Sequence, residues 1–202
     1  MPKRSVRGDM MRQAIAREAA RLMIEHGHDD YGTAKRKAAE RFGVTDLAVL
    51  PKNTEIEEAL AEHQRLFGAE SHASEVAAMR AVALETMRLF AAFEPRLVGP
   101  LLSGTATAHS DITLHLFADT PETVAVALID RGIPHEFAER RFRISRDEVE
   151  AFPSVRFTAG EHDVDATIFP RDGIRQAPPG PVDGKPMRRA TLAEVETLVS
   201  AS

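Results

Sequence analysis

Apolar residues recur at helical spacing through the first half of the chain and at alternate positions through much of the second. In residues 10–26, Ile15, Ala19, Leu22 and Met23 trace one helical face, and Gly27 stands where a C-cap belongs. Asp29 or Asp30 can cap a second helix that reaches Phe42 and closes at Gly43. Its apolar face is thin (Tyr31, Ala34, Ala38, Ala39, Phe42), and Lys35, Arg36 and Lys37 lie around its polar side. The pair reads as a helical hairpin. It is not read as a DNA-binding helix-turn-helix, because no third helix follows in the usual frame and the second helix has few base-reading side chains beyond its lysines and arginines. Residues 45–52 form a loop. Asn53 then caps a third helix, with Glu55 and Glu57 in its first turn, a face of Ile56, Leu60, Gln64 and Phe67, and Gly68 as its end. Ser71 or Ser74 opens a long fourth helix to about residue 93. Val76, Met79, Ala83, Met87 and Phe90, widened by Val82, Leu84 and Leu89, bury it on more than one side.

Beyond Pro95 the period changes. The apolar run 97–102 reads as a buried strand, closed by a turn at Ser103, Gly104 and Thr105. Residues 111–117 alternate, placing Asp111, Thr113 and His115 on one strand face and Ile112, Leu114 and Leu116 on the other. Thr120, Pro121 and Glu122 open a helix that ends near Gly132. Residues 133–137 form a strand, and the basic 139–143 a further strand or exposed edge. Residues 145–148 make a short capped helix or turn. Residues 154–158 and 162–169 form a hairpin across Gly160, with Asp163, Asp165 and Thr167 on one side. Residues 171–186 are rich in Pro and Gly and extended over the surface. Thr191 to Glu194 is a capping box for a last helix. The pattern predicts an α+β protein: a helical N-terminal half, then a small mixed β-sheet core with packed helices. Three segments follow: a helical hairpin over 1–52, a core domain over 53–170, and a Pro/Gly-rich segment with a C-terminal helix over 171–202.

Composition narrows the chemistry. With no Cys, disulfides, thiol catalysis and zinc–thiolate sites are excluded. With no Trp and one Tyr, an aromatic platform for single-stranded nucleic acid is not expected. No apolar run is long enough to span a bilayer and no secretory leader opens the chain, so a cytoplasmic protein with no membrane partner is expected. The net charge is −5, yet residues 1–45 hold ten Lys/Arg against six Asp/Glu, a local +4. That asymmetry suits an RNA or protein partner at the first helices, or simply a solvated helix face. No Walker A, G-x-S-x-G or H-E-x-x-H pattern occurs.

The stretch 97–117 carries the strongest motif. An apolar strand, a glycine turn, Ser110-Asp111-Ile112-Thr113-Leu114 and an acid on a later hairpin together resemble the signature of the nucleotidyltransferase superfamily, the DNA polymerase β-like fold. Gly104-Thr105 stands at its Gly-Ser position, Asp111 at its first acid and Asp165 at its third, with Asp163 the alternative. The resemblance covers about residues 97–170 and suggests a small bacterial-type member. It implies a nucleotide site at Ser103, Gly104 and Thr105. It also implies catalytic acids Asp111 and Asp165, which would hold magnesium with Asp163 in reserve. A nucleoside monophosphate would then pass from a nucleoside triphosphate to a hydroxyl. Two acids at i and i+2 of a strand point the same way and can grip one ion, and magnesium favours carboxylate and phosphate oxygens.

Thr113 departs from this pattern, standing where the second acid belongs. A neutral hydroxyl is a poor magnesium ligand, and His115 on the same face is a softer one. The alternative is therefore a catalytically degenerate relative that binds a nucleotide, RNA or a protein. His109, His115 and His162 can supply imidazole, or serve as structural histidines. Arg140, Arg141 and Arg143 can clamp a triphosphate or an RNA backbone, or form a solvated edge.

Overall fold

A computed structural model describes residues 6–26, 30–67, 69–145 and 148–201. The expected cap Gly27, its neighbour Asp29, the terminator Gly68 and most of the 145–148 turn lie outside these residues, as do the side chains of Phe67 and Ser71. The chain divides into two compact units. One takes residues up to 72 with 105–110 and 181–183, and the other takes 73–104, 111–180 and 184–202.

The first unit holds α1 (Val6–His26), α2 (Tyr31–Arg41), a 3₁₀ turn at Leu47–Val49 and α3 (Asn53–Phe67). Its core is Ile15, Ala16, Ala19, Ala20, Leu22 and Met23 of α1 against the alanine face of α2 and against Ile56 and Leu60 of α3. Alanines on both α1 and α2 let the two backbones approach closely. α1 begins four residues before the expected start at residue 10. Asp30 caps α2, its carboxylate accepting the Thr33 N–H at 2.6 Å. The expected cap at Asn53 is not made. Its side chain accepts from Lys35 Nζ and donates to the Pro181 carbonyl, both at 2.6 Å, while Glu55 accepts the Lys52 N–H at 2.7 Å and closes the helix start. Gln64, buried on the apolar face, donates from Nε2 to the carbonyls of Thr105 and Ala106, each at 3.1 Å.

The second unit takes most of α4 (Ala69–Leu89), then β1 (Arg96–Val98), α5 (Pro100–Ser103), β2 (Ile112–Phe117), α6 (Pro121–Ile129), β3 (Glu136–Arg143), β4 (Val149–Ala159), β5 (His162–Phe169) and α7 (Leu192–Ser200). The architecture is α+β, with seven α-helices and one five-stranded mixed sheet among the described residues. Strand order is β1-β2-β5-β4-β3. The β2–β5 pair is parallel and the other three pairs are antiparallel.

The run 97–102 is not one strand. It breaks after Val98, because Gly99 turns the chain at φ 75° and Pro100, whose ring suits a first helical position, starts a four-residue helix. The two expected segments at 133–137 and 139–143 merge into the single edge strand β3. The hairpin across Gly160 and the Thr191–Glu194 capping box form as expected.

One sheet face is apolar: Leu97, Ile112, Leu114, Leu116, Val155, Phe157, Val164, Ala166 and Ile168 are all buried. The α4 residues Val76, Met79, Ala83, Met87 and Phe90 are buried too, and Phe90 meets Phe157 edge-on at 5.7 Å. No helix among the described residues is long and apolar enough to cross a membrane.

Candidate functional site

The opposite sheet face carries the polar chemistry. Strand alternation sends Thr113, His115 and Phe117 to it from β2, and Asp163, Asp165, Thr167 and Phe169 from β5. The parallel register sets Thr113 beside Asp165, His115 beside Thr167 and Phe117 beside Phe169. Across the hairpin, β4 adds Arg156 beside Asp165 and Ser154 beside Thr167. β3 adds Arg140, opposite Phe152.

Asp165 is fully buried and sits between two guanidiniums. Its Oδ2 forms an ion pair with Arg140, whose Nε lies 2.9 Å away, and accepts a hydrogen bond from Arg156 Nε at 3.0 Å. Its Oδ1 is buried with no hydrogen-bond partner among the described residues. The arginine side chains remain 40 % and 54 % exposed, so the pairs run from a dry carboxylate to the surface.

This donor set does not fit magnesium. An ion at the unpaired Oδ1 would share one carboxylate with two guanidiniums that repel it, and the adjacent Thr113 offers only a neutral hydroxyl. Among the described residues, no three His, Asp or Glu side chains stand close enough together to hold a metal ion.

The other expected site residues are distributed as follows. Asp111 is half-buried, one residue before β2. Since Ile112 pairs with Val164, Asp111 lies at the end of the sheet where Asp163 begins its run. Asp163 is exposed and accepts from Thr158 Oγ1 at 3.2 Å. Around Gly104 the backbone donors point inward: its N–H goes to the Pro100 carbonyl at 2.8 Å, and that of Ser103 to the Gly99 carbonyl at 3.1 Å. The Ser103 hydroxyl donates to Pro100 as well, at 3.2 Å. Thr105 belongs to the first unit, where its hydroxyl donates to Glu57 Oε1 at 2.6 Å. Thus Thr113 and Asp165 are brought side by side, whereas Ser103 and Gly104 donate to nearby carbonyls and the Thr105 hydroxyl to Glu57. His109 is exposed on its loop and His162 half-buried at the start of β5.

His115 is fully buried, and its partner Arg189 was not expected. Arg189 Nε donates to His115 Nδ1 at 2.9 Å, which puts the imidazole proton on Nε2. The same guanidinium donates from Nη1 to the Gly173 carbonyl at 2.8 Å and stands 5.0 Å from the ring centres of Phe117 and Phe169. Burial first, then the charges of Arg189 and Arg140, push the His115 pKa down to about 3. Burial, then the charge of Arg96, lowers Arg189 to about 10. Arg156 was also missed, though a signal existed: a two-residue turn at 160–161 pairs positions 156 and 165. For Arg189 only the Arg188-Arg189 pair just ahead of the capping box hinted at a role.

Compared with known proteins, the chain matches no family model, no curated protein and no solved structure.

Proposed function

We propose that this chain is a nucleotidyltransferase-like protein that has given up metal-dependent transfer and acts as a nucleotide-binding module. The motif resemblance over residues 97–170 supports the first half. So does the register, which sets the Ser-Asp-Ile-Thr strand parallel to the strand bearing Asp165, with Thr113 and Asp165 abreast. The observation that carries the second half is the state of Asp165: one of its oxygens holds two arginines and its neighbour is a threonine. A position that would grip a cation has become the anchor of a cationic surface. That surface suits the phosphates of a nucleotide, because guanidiniums meet phosphate oxygens with charge-assisted hydrogen bonds.

Two assays on the full chain test this. Calorimetric titration with ATP, GTP, CTP and UTP, in magnesium and in EDTA, should show a nucleotide binding equally well without the metal. Incubation with radiolabelled nucleoside triphosphates should transfer no nucleotide to any acceptor offered. Magnesium-dependent labelling by the wild type, lost in Asp111→Ala, would overturn the reading and restore an active transferase.

A further inference from the structure

The geometry points to a metal-free phosphate clamp formed by Arg140 of β3 and Arg156 of β4, held in position by Asp165. It deepens the nucleotide-binding reading and rests on it. Both arginines reach the carboxylate through Nε, the inner nitrogen of the guanidinium. The outer Nη nitrogens of each make no hydrogen bond among the described residues. Nε atoms lying 2.9 and 3.0 Å from one oxygen can be no more than 5.9 Å apart. Two guanidiniums are therefore presented close together from one anchor, at a separation that one phosphate group or two adjoining ones can bridge.

Charge and burial make the same case. Two cations share one anion, so the cluster carries an uncompensated positive charge, and Arg189, whose charge acts on His115 together with that of Arg140, adds to it. Asp165 is dry and fixed between strands, so the guanidiniums give up less side-chain freedom on binding than two unanchored surface arginines. Three acids lie nearby on this face. Glu150, opposite Phe142 and two residues along β4 from the partner of Arg140, makes no ion pair among the described residues. Glu136 pairs with Arg156 in the β3–β4 register but makes no ion pair with it among the described residues, and Asp163 is bonded to Thr158. Glu136 would border the bound anion and weaken its attraction. Phosphate is favoured over a carboxylate because it brings more negative charge and more acceptor oxygens to the two guanidiniums. A free polyphosphate and the phosphate chain of a nucleotide share that chemistry, so both are used as probes.

The experiment titrates the full chain with sodium tripolyphosphate and, separately, with ATP, GTP, CTP and UTP, all in EDTA. Wild type should bind tripolyphosphate. Arg140→Gln and Arg156→Gln should each weaken it on the order of tenfold, and the double variant should abolish it. Glu136→Gln should tighten it a few-fold. Asp165→Asn separates a clamp from plain attraction: it removes a negative charge, so plain attraction predicts tighter binding, whereas loss of the anchor predicts weaker. Should Asp165→Asn lose its native circular dichroism, the two arginine variants, altered only at half-exposed side chains, still decide the matter. Tripolyphosphate affinity within twofold of wild type in the double variant would overturn the clamp. So would tighter binding by folded Asp165→Asn. The failure of each reading is distinct. Nucleotide binding that survives Arg140→Gln/Arg156→Gln sinks the clamp alone. Tripolyphosphate binding through the clamp with no nucleotide bound sinks the nucleotide-module reading alone.

Discussion

Burial holds the His115 ring neutral, and the folded chain resists protonating it until far below the ordinary histidine range, near pH 3. The consequence for stability has a definite sign. Above about pH 6.5 both folded and unfolded chains carry a neutral imidazole, and the residue is indifferent to pH. Between 6.5 and 3 the unfolded chain takes up a proton that the folded chain refuses, so stability falls as pH drops, by up to about 1.4 kcal/mol per unit. Urea unfolding at pH 7.5 and pH 5 should show a loss of about 2 kcal/mol from this residue, and His115→Gln should remove that part of the loss. An equal loss in the variant would show that other groups set the acid limit. The role of His115 was half legible. Its place on the polar face followed from alternation, but its neutrality depends first on burial and then on Arg189, which is 74 residues away.

At the scale of elements, β2 and β5 form the centre of the sheet, and the cost of cutting into them follows from burial. Leu114 is fully buried on the α4 side, and Leu114→Ala should cost about 2–5 kcal/mol in denaturant unfolding. Gly99 holds φ 75° and ψ −157°, a region that side chains scarcely enter. A Cβ there would meet Thr113 Oγ1 at an ordinary 3.7 Å. Gly99→Ala should therefore cost about 1–3 kcal/mol through backbone strain rather than collision. A change below about 0.5 kcal/mol would mean that the turn relaxes. The α7 capping box and the β4–β5 hairpin were readable because each is written in a few adjacent residues. The break at Gly99 was hidden because the apolar run 97–102 has the same composition whether it continues as a strand or turns into a short helix.

For the whole molecule, the local +4 of residues 1–45 suggested an anionic partner for the first helices. Several of those cations are spent inside the first unit. Arg21 pairs with Glu18 and Glu25, Arg41 pairs with Glu18, and Lys35 bonds to Pro51 and Asn53. Burial lowers the Lys35 pKa further against its acidic neighbours. A surface so engaged offers few phosphate contacts, and the electrostatic part of nucleic-acid binding grows with their number. Fluorescence anisotropy should accordingly find no binding of a single-stranded RNA at 150 mM salt to Arg140→Gln/Arg156→Gln, which keeps the first helices and lacks the clamp. Micromolar binding there would return the first helices to the list of partner surfaces.

The sequence by itself determined the α+β order, the helices apart from α5, the cap of α7 and, to within one residue, that of α2, and which face of each central strand carries polar groups. These depend on periodicity and on contacts a few residues apart, where the chain has little choice. Tertiary structure decided what the polar face is. Asp165 reads the same in one dimension as a magnesium ligand or as a surface acid. Strand pairing places Arg156 beside it, the β3–β4 pairing brings Arg140 within reach, and Thr113 rather than a second carboxylate stands on the far side. A carboxylate takes its chemistry from the charges within a few ångströms of it, and those neighbours are chosen by register rather than by sequence distance.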